Sequence, residues 1–275
     1  MTVAALAQSV GRSSQVALYA SVGEELITFS VDPERATLTR QSSMKLPGFV
    51  QEAWASPTSP SPFLYVAWSN GGTSYTGSGV TPVGDKHGVT ALRVDGSGAL
   101  HAEGAAGALR SRPIHITGDL PGRHLLVAFN DPSGISVHNI NSDGTVGSEV
   151  PEPSGLDVGI YAHQVRVLPG NRGVILVTRG NQPTSTTRED PGAVKVFGYD
   201  NGKLSNGISI APSKGLGFRS RHLDFHPTGP WVFLTLESQN QLEVFRRTGD
   251  TLNPEPLFSK STLANGGGLT PGQTT

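Results

Sequence analysis

Short runs of alternating apolar and polar residues recur along the chain, and this period-two pattern predicts β-strands. Five runs resemble one another: LYASV from Leu18, LYVAW from Leu64, LLVAF from Leu125, VILVTR around Ile175 and VFLTL from Val232. Their starts are about 54 residues apart on average. A regular spacing of this length indicates a repeat in which each copy is one supersecondary unit.

Each copy contains more than one predicted strand. A second β-like run follows the first, as in ELITFSVD (25–32) and QLEVFRR (241–247), and then comes a turn rich in Asp, Asn and Gly. The last four copies also have a β-like segment before the first run: EAWASPTSP, IHITGDLPG, HQVRVLPGN and HLDFHPTGP. The pattern therefore predicts an all-β protein, a β-propeller of four-stranded antiparallel blades, because a β-sandwich would not require the same four-strand unit to recur.

Composition supports many short strands joined by turns. The 275 residues include 35 Gly and 20 Pro, and charged residues make up only 16%. About five blades fit into the sequence, and we predict one propeller domain over residues 1–275.

Charge and motifs exclude several functions. The net charge of −1 provides no basic face for nucleic acid or anionic lipid, and there is no cysteine for disulfides, thiolate metal sites or thiol nucleophiles. No signal peptide, long apolar segment, nucleophile elbow, Walker loop or HExxH motif is evident. We therefore expect a soluble cytoplasmic protein without cofactor, metal site, nucleic acid or membrane partner; its oligomeric state is left open.

Strand order predicts where a site would lie. The start of the innermost strand and the end of the second strand meet at one face of a propeller, where loops on a rigid scaffold commonly carry function. Counting six residues back from the turn proline of three blades gives Gln51, His163 and Arg221. Arg179 and Glu237 each end a second strand and should reach the same face. The long loops SNGGTSYTGSGVTPVGDKHG and GNQPTSTTREDPG would wall it.

These residue types suit chemistry on a small anionic or lactone-like molecule. Arginine binds a carboxylate or stabilises an oxyanion, and His or Glu moves a proton near neutral pH. Structural interpretations remain open beside this one. His163 is also explained as a polar anchor, Arg221 and Glu237 as a structural ion pair, and Arg179 as a residue that pins a loop. His222, Asp224 and His226 are assigned to holding the blade and its turn.

The chain resembles the lactonase-type seven-bladed β-propeller family, which contains 6-phosphogluconolactonases and carboxymuconate-lactonizing enzymes. The resemblance covers nearly the whole chain and is most specific in three segments: AHQVRVLPGNRGVILVTRGN, FRSRHLDFHPTGPWVFLTLESQNQLEVF and GGGLTPGQTT. It implies catalytic His163, Arg221 and Glu237, with Arg179 and Gln51 assigned to substrate binding. Seven blades would need about 375 residues, so blades beyond the tail are expected, one of them with a further arginine of the family site.

The resemblance implies hydrolysis of a sugar-acid lactone such as 6-phosphogluconolactone. His163 or Glu237 would activate water, and Arg221 would stabilise the oxyanion or hold a substrate carboxylate or phosphate. A muconate cycloisomerase would use the same groups, and a non-catalytic scaffold for a protein partner is the third alternative.

Overall fold

The computed structural model describes residues 3–6, 16–56, 62–71 and 84–263. Within these ranges the chain forms β-strands and one short 3-10 helix, Pro212–Gly215, and no α-helix. The strands make five sheets that follow one another along the sequence. The prediction of an all-β chain built from repeated blades is confirmed.

The first two sheets lie before residue 110, and in both the strands are in chain order. The first sheet contains β1 (Val3–Leu6), β2 (Val16–Val22), β3 (Glu25–Asp32) and β4 (Thr37–Lys45). The second contains β5 (Phe49–Ala55), β6 (Phe63–Ser69), β7 (His87–Val94) and β8 (Leu100–Ala102), with β9 (Gly107–Ala108) also paired to β7.

The other three sheets repeat this order. The third contains β10 (Pro113–Gly118), β11 (His124–Asn130), β12 (Ser133–Ile140) and β13 (Val146–Val150). The fourth contains β14 (Ala162–Val167), β15 (Gly173–Thr178), β16 (Ala193–Asp200) and β17 (Lys203–Ile210). The fifth contains β18 (Ser220–Phe225), β19 (Trp231–Leu236), β20 (Gln241–Thr248) and β21 (Thr251–Leu252), with β22 (Phe258–Ser261) also paired to β20.

The outer strand departs from the four-strand prediction in two blades, where it is broken into two short pieces. In the fifth blade Pro254 and Pro256 stand between the pieces β21 and β22, and proline has no N–H to donate to β20. In the second blade Gly104, with a φ of 64°, separates β8 from β9. A single strand therefore cannot run along the whole outer edge in either blade.

The turn between β16 and β17 has the positive φ angles that its Asn-Gly sequence predicts. In the fourth blade Asn201 and Gly202 join β16 to β17 with φ values of 45° and 87°. Two successive positive φ angles are the requirement of a tight type I′ hairpin, which Asn-Gly adopts at little cost. This local chemistry fixes the length of the loop and thereby the pairing of the two strands.

The chain divides into two compact units, residues 1–127 with 138–149 and residues 128–137 with 150–275. The single-domain interpretation stays a prediction. In the first unit, Leu26, Leu64, Val66 and Leu92 belong to a buried apolar cluster shared by the first and second sheets. In the second unit a larger cluster joins the fourth and fifth sheets: Leu168, Ile175, Val177, Val194, Val196, Ile210, Phe218, Leu223, Val232, Leu234, Leu236, Phe245 and Leu252.

Three segments used in the sequence analysis fall partly or wholly outside the described residues. They are the turn proline Pro57, most of the long loop after Ser69, and the tail GGGLTPGQTT. Within the described ranges, no helix has the length and apolar character needed to cross a membrane.

Candidate active site in the second unit

Arg179 and Glu237 occupy the same register position in the fourth and fifth blades. Each follows the last residue of the second strand, and each backbone N–H donates to the carbonyl of the residue before the first strand. These bonds are Arg179 N–H to Tyr161 O and Glu237 N–H to Arg219 O, both 2.9 Å. Since the two blades are built alike, these side chains leave their sheets at equivalent points.

His163 and Arg221 also occupy equivalent positions, one residue into the first strand. The pairing of β14 with β15 shifts between Ala162 and Gln164, so His163 is an extra residue in its strand. The pairing of β18 with β19 shifts between Ser220 and Leu223, around Arg221 and His222. A β-bulge redirects side chains locally, and both bulges stand at the strand start where the sequence analysis placed the site.

The geometry brings Arg179, Arg221 and Glu237 together. Arg221 Nη1 lies 2.7 Å from Glu237 Oε1, and Arg179 Nη1 lies 3.5 Å from Glu237 Oε2. Between 16% and 28% of each of these three side chains is exposed. One carboxylate is therefore shared by two guanidinium groups in a half-buried setting. The guanidinium of Arg179 also lies over the ring of Tyr161, 4.9 Å from its centroid.

His163 and His222 form a second contact between the same two blades. Their rings meet edge to face, with centroids 4.8 Å apart and an interplanar angle of 83°. His163 is buried, whereas His222 is exposed. Desolvation and then the neighbouring Arg221 charge lower the pKa of His222, against an opposing effect of Glu237.

A buried arginine that the sequence analysis did not single out lies beneath this group. Arg219 Nη2 donates to Glu189 Oε1 at 2.8 Å, and its side chain is only 4% exposed. Its Nη1 donates to the carbonyl of Arg179 at 3.3 Å, and its own carbonyl accepts the Glu237 N–H. Arg219 thus links both ends of loop 179–192 to the backbone that carries Glu237. A buried ion pair depends on neighbours distant in sequence, so only the fold reveals it.

Gln51 lies in the first unit. Its position is again a bulge, because the pairing of β5 with β6 shifts between Val50 and Glu52. Its Oε1 accepts a hydrogen bond from Arg112 Nη1 at 2.8 Å, and a role in substrate binding remains a prediction. His115 stands six residues before Pro121, just as Gln51 stands six residues before Pro57. The sequence predicted no role for His115.

The residues assigned to holding the fifth blade differ in what they contact. Asp224 accepts from Arg166 at 2.9 Å and so joins the fourth and fifth blades. His226 Nδ1 accepts the N–H groups of Thr228 and Gly229, which closes the turn before β19. Both have the structural roles expected of them. His222 contacts Thr235 through its backbone and the ring of His163 through its own ring, so its assignment to holding the blade stays a prediction.

Among the residues that the structure describes, no group of three or more His, Asp or Glu side chains is arranged to hold a metal ion.

Comparison with known proteins relates this geometry to a family. A 6-phosphogluconolactonase from Serratia proteamaculans is 28% identical over 159 residues, which is 58% of this chain and 44% of the relative. The chain therefore spans less than half the length of this curated relative. A periplasmic gluconolactonase from Pseudomonas aeruginosa matches with a TM-score of 0.59 and 17% identity, covering 97% of this chain and 69% of its own.

A further solved structure agrees on the fold. A protein from Lactobacillus plantarum matches with a TM-score of 0.62 and 18% identity over 94% of this chain and 66% of its own. The model of one family, described as lactonase, 7-bladed beta-propeller, matches residues 15–270. Because this match extends over nearly the whole sequence, the chain belongs to the lactonase family of seven-bladed β-propellers.

Proposed function

We propose that the protein hydrolyses a sugar-acid lactone such as 6-phosphogluconolactone. The observation that carries the proposal is the shared contact of Arg179 and Arg221 with Glu237, beside two histidines at the starts of the same two blades. Membership of the lactonase family and the similarity to a 6-phosphogluconolactonase support the substrate class.

Charge in the cluster favours an anionic substrate. Two guanidinium groups face one carboxylate, which leaves one positive charge in excess. Arg179 also has a buried Nε that makes no hydrogen bond within the described residues. A guanidinium with an unused donor suits a phosphate, a carboxylate or a developing oxyanion.

The reaction needs two functions that these residues can supply. Water adds to the lactone carbonyl while a base takes its proton, and the carbonyl electrons move to oxygen; the ring C–O bond then breaks and its oxygen receives a proton. A guanidinium within reach of the carbonyl oxygen stabilises the charge that develops there. Arg221 is assigned to this role, and His163 or Glu237 is the base expected from the sequence.

The test is lactone hydrolysis by the purified 275-residue chain, followed in a pH-stat. The substrates are 6-phosphogluconolactone, unphosphorylated gluconolactone and a muconolactone, each corrected for spontaneous hydrolysis. We expect turnover of the phosphorylated lactone and a loss of about 100-fold or more in kcat/KM for Arg221→Gln, the scale found when an oxyanion donor is removed.

Arg166→Gln is the matched control. Arg166 also forms an ion pair between the fourth and fifth blades, with Asp224, but it lies outside the cluster. The control should keep the rate of the unmodified protein. A folded chain that turns over none of the lactones would refute the proposed function, and turnover of the muconolactone alone, with an unsaturated muconate as the product, would assign the cycloisomerase reaction instead.

A cytoplasmic location belongs to the same proposal. It rests on the substrate class suggested by the 6-phosphogluconolactonase relatives. Cell fractionation with an antibody against the chain tests it, and recovery from the periplasm would contradict it.

A further inference from the structure

The backbone at His222 is held by a side chain of the neighbouring strand. In the bulge, Arg221 and His222 both stand opposite Thr235, since Ser220 pairs with Leu236 and Leu223 with Leu234. The Thr235 hydroxyl accepts from the His222 N–H and donates to the His222 carbonyl, both at 3.2 Å. One hydroxyl thus bonds both backbone groups of His222 within the bulge, and it fixes the point from which the imidazole projects.

The imidazole ring of His222 forms no polar contact within the described residues. Within the described residues its ring makes no hydrogen bond or ion pair, and its ring contact is with His163. Three other histidines have a partner for a ring nitrogen: His87 has Ser69, His101 has Asp95, and His226 has two backbone N–H groups. A histidine that serves only the structure is normally satisfied in this way.

The groups that face His222 keep a proton acceptor available near neutral pH. Arg221 precedes it, Glu237 lies across the bulge in ion pairs with Arg221 and Arg179, and the His163 ring lies against it. Desolvation and Arg221 outweigh Glu237, so the pKa of His222 lies below its ordinary value of about 6.5. The neutral imidazole is therefore the main form at pH 7.

The two bases expected from the sequence are less available. Each oxygen of Glu237 faces a guanidinium, at 2.7 Å and 3.5 Å. His163 is 7% exposed, whereas His222 is exposed as a residue even though its ring is partly desolvated. Exposure matters here because a general base must come within hydrogen-bond distance of the attacking water.

We propose that His222 is the general base of the site, a catalytic residue of the lactone hydrolysis on which this inference rests. Its free ring nitrogen takes a proton from the attacking water as the oxygen bonds to the carbonyl carbon. The imidazolium then returns that proton to the ring oxygen as the C–O bond breaks. The products are the open hydroxy acid and neutral His222, so no further reactant is needed.

The experiment compares the unmodified chain with His222→Asn and His222→Ala over a range of pH. We expect kcat to fall by about 100-fold or more, the usual contribution of a general base, with KM changed by less than about threefold. In the unmodified chain kcat/KM should decrease as the pH falls through the pKa of His222, since protonation removes the base. This acid limb should vanish in both variants. Added imidazole, corrected for its own hydrolysis of the lactone, should restore part of the activity of His222→Ala.

The variants distinguish failure of the His222 role from failure of the proposed function. His101→Asn is the control, since it removes an exposed, ion-paired imidazole from the first unit. If His222→Asn keeps the rate and acid limb of the unmodified chain while Arg221→Gln is impaired, the role of His222 is refuted and the lactonase proposal stands. If the unmodified chain has no activity, both fail. If the circular dichroism spectrum shows that a variant is unfolded, His222→Gln takes its place. The same fall in kcat and the same loss of the acid limb of kcat/KM are expected for it.

Discussion

Glu237 is the residue on which the charges of the candidate site converge. Its two oxygens face different arginines, one from the end of β15 and one from the bulge of β18. A half-buried carboxylate between two guanidinium groups neutralises charges that would otherwise repel each other. Under the proposed function, a substrate phosphate or carboxylate would compete with Glu237 for the two guanidinium groups.

Glu237→Gln should therefore bind anions more tightly while catalysing less. The amide keeps the size of the side chain but removes the negative charge, which leaves Arg179 and Arg221 without their counter-charge. We expect the Kd for 6-phosphogluconate to fall by about tenfold, equivalent to about 1.4 kcal/mol, as measured by isothermal titration calorimetry. Unchanged or weaker binding would show that the arginines do not face the ligand.

At the scale of the element, the repeated blade places polar and charged side chains at equivalent positions of successive sheets. The residue after the second strand is Arg179 in one blade and Glu237 in the next, and the bulge of the first strand holds His163 or Arg221. Turn prolines and alternating runs mark these points in the sequence, so the positions could be predicted. The roles of His222 and Arg219 could not, because each depends on residues of another strand or loop.

Loop 179–192 should become more mobile when the buried ion pair between Glu189 and Arg219 is weakened. Glu189 accepts from the Arg219 guanidinium and from the N–H of Gly217, at 2.8 Å and 2.7 Å. Glu189→Gln removes the charge that Arg219 faces, and we expect a loss of about 1–3 kcal/mol in the free energy of unfolding, as for hydrogen bonds to charged groups. Amide hydrogen exchange in the loop should quicken, and kcat should fall several-fold because Arg219 also contacts the backbone of Arg179 and Glu237.

Asp190→Asn is the control for this change. It removes the same charge from the adjacent residue, whose carboxylate accepts from the Asn181 side chain. Equal loss of stability in both variants would mean that the net charge of the loop, and not the Arg219 contact, holds it in place.

At the scale of the whole molecule, the question is whether the two compact units unfold together in one cooperative transition. The sequence predicts one domain over residues 1–275, whereas the structure groups these residues into two units. We expect one transition in differential scanning calorimetry. Leu64→Ala and Leu234→Ala remove buried leucines from different units, each at a cost of about 2–5 kcal/mol. Both should lower the same transition temperature, and two transitions that respond separately would contradict the single domain.

The sequence by itself determined the strands, the turns and the repeat. Alternating polarity and turn residues such as Asn201 and Gly202 act within a few neighbouring positions, so they can be recognised without the fold. It also determined which residues stand at the blade starts, because the turn prolines provide a count. The broken outer strands of two blades, the strand β1 and the 3-10 helix Pro212–Gly215 were not predicted, although Pro254 and Pro256 indicated one of the two breaks.

The tertiary structure decided which of these side chains meet. It paired Glu237 with two arginines, buried Arg219 against Glu189, and brought the ring of His222 against that of His163. These outcomes depend on strand register and on packing between blades, which bring together residues 16 positions apart (Arg221 and Glu237) to 58 positions apart (Arg179 and Glu237). A local pattern places a residue on a strand, but the partners that set its charge and exposure come from other strands, which only the folded chain brings together.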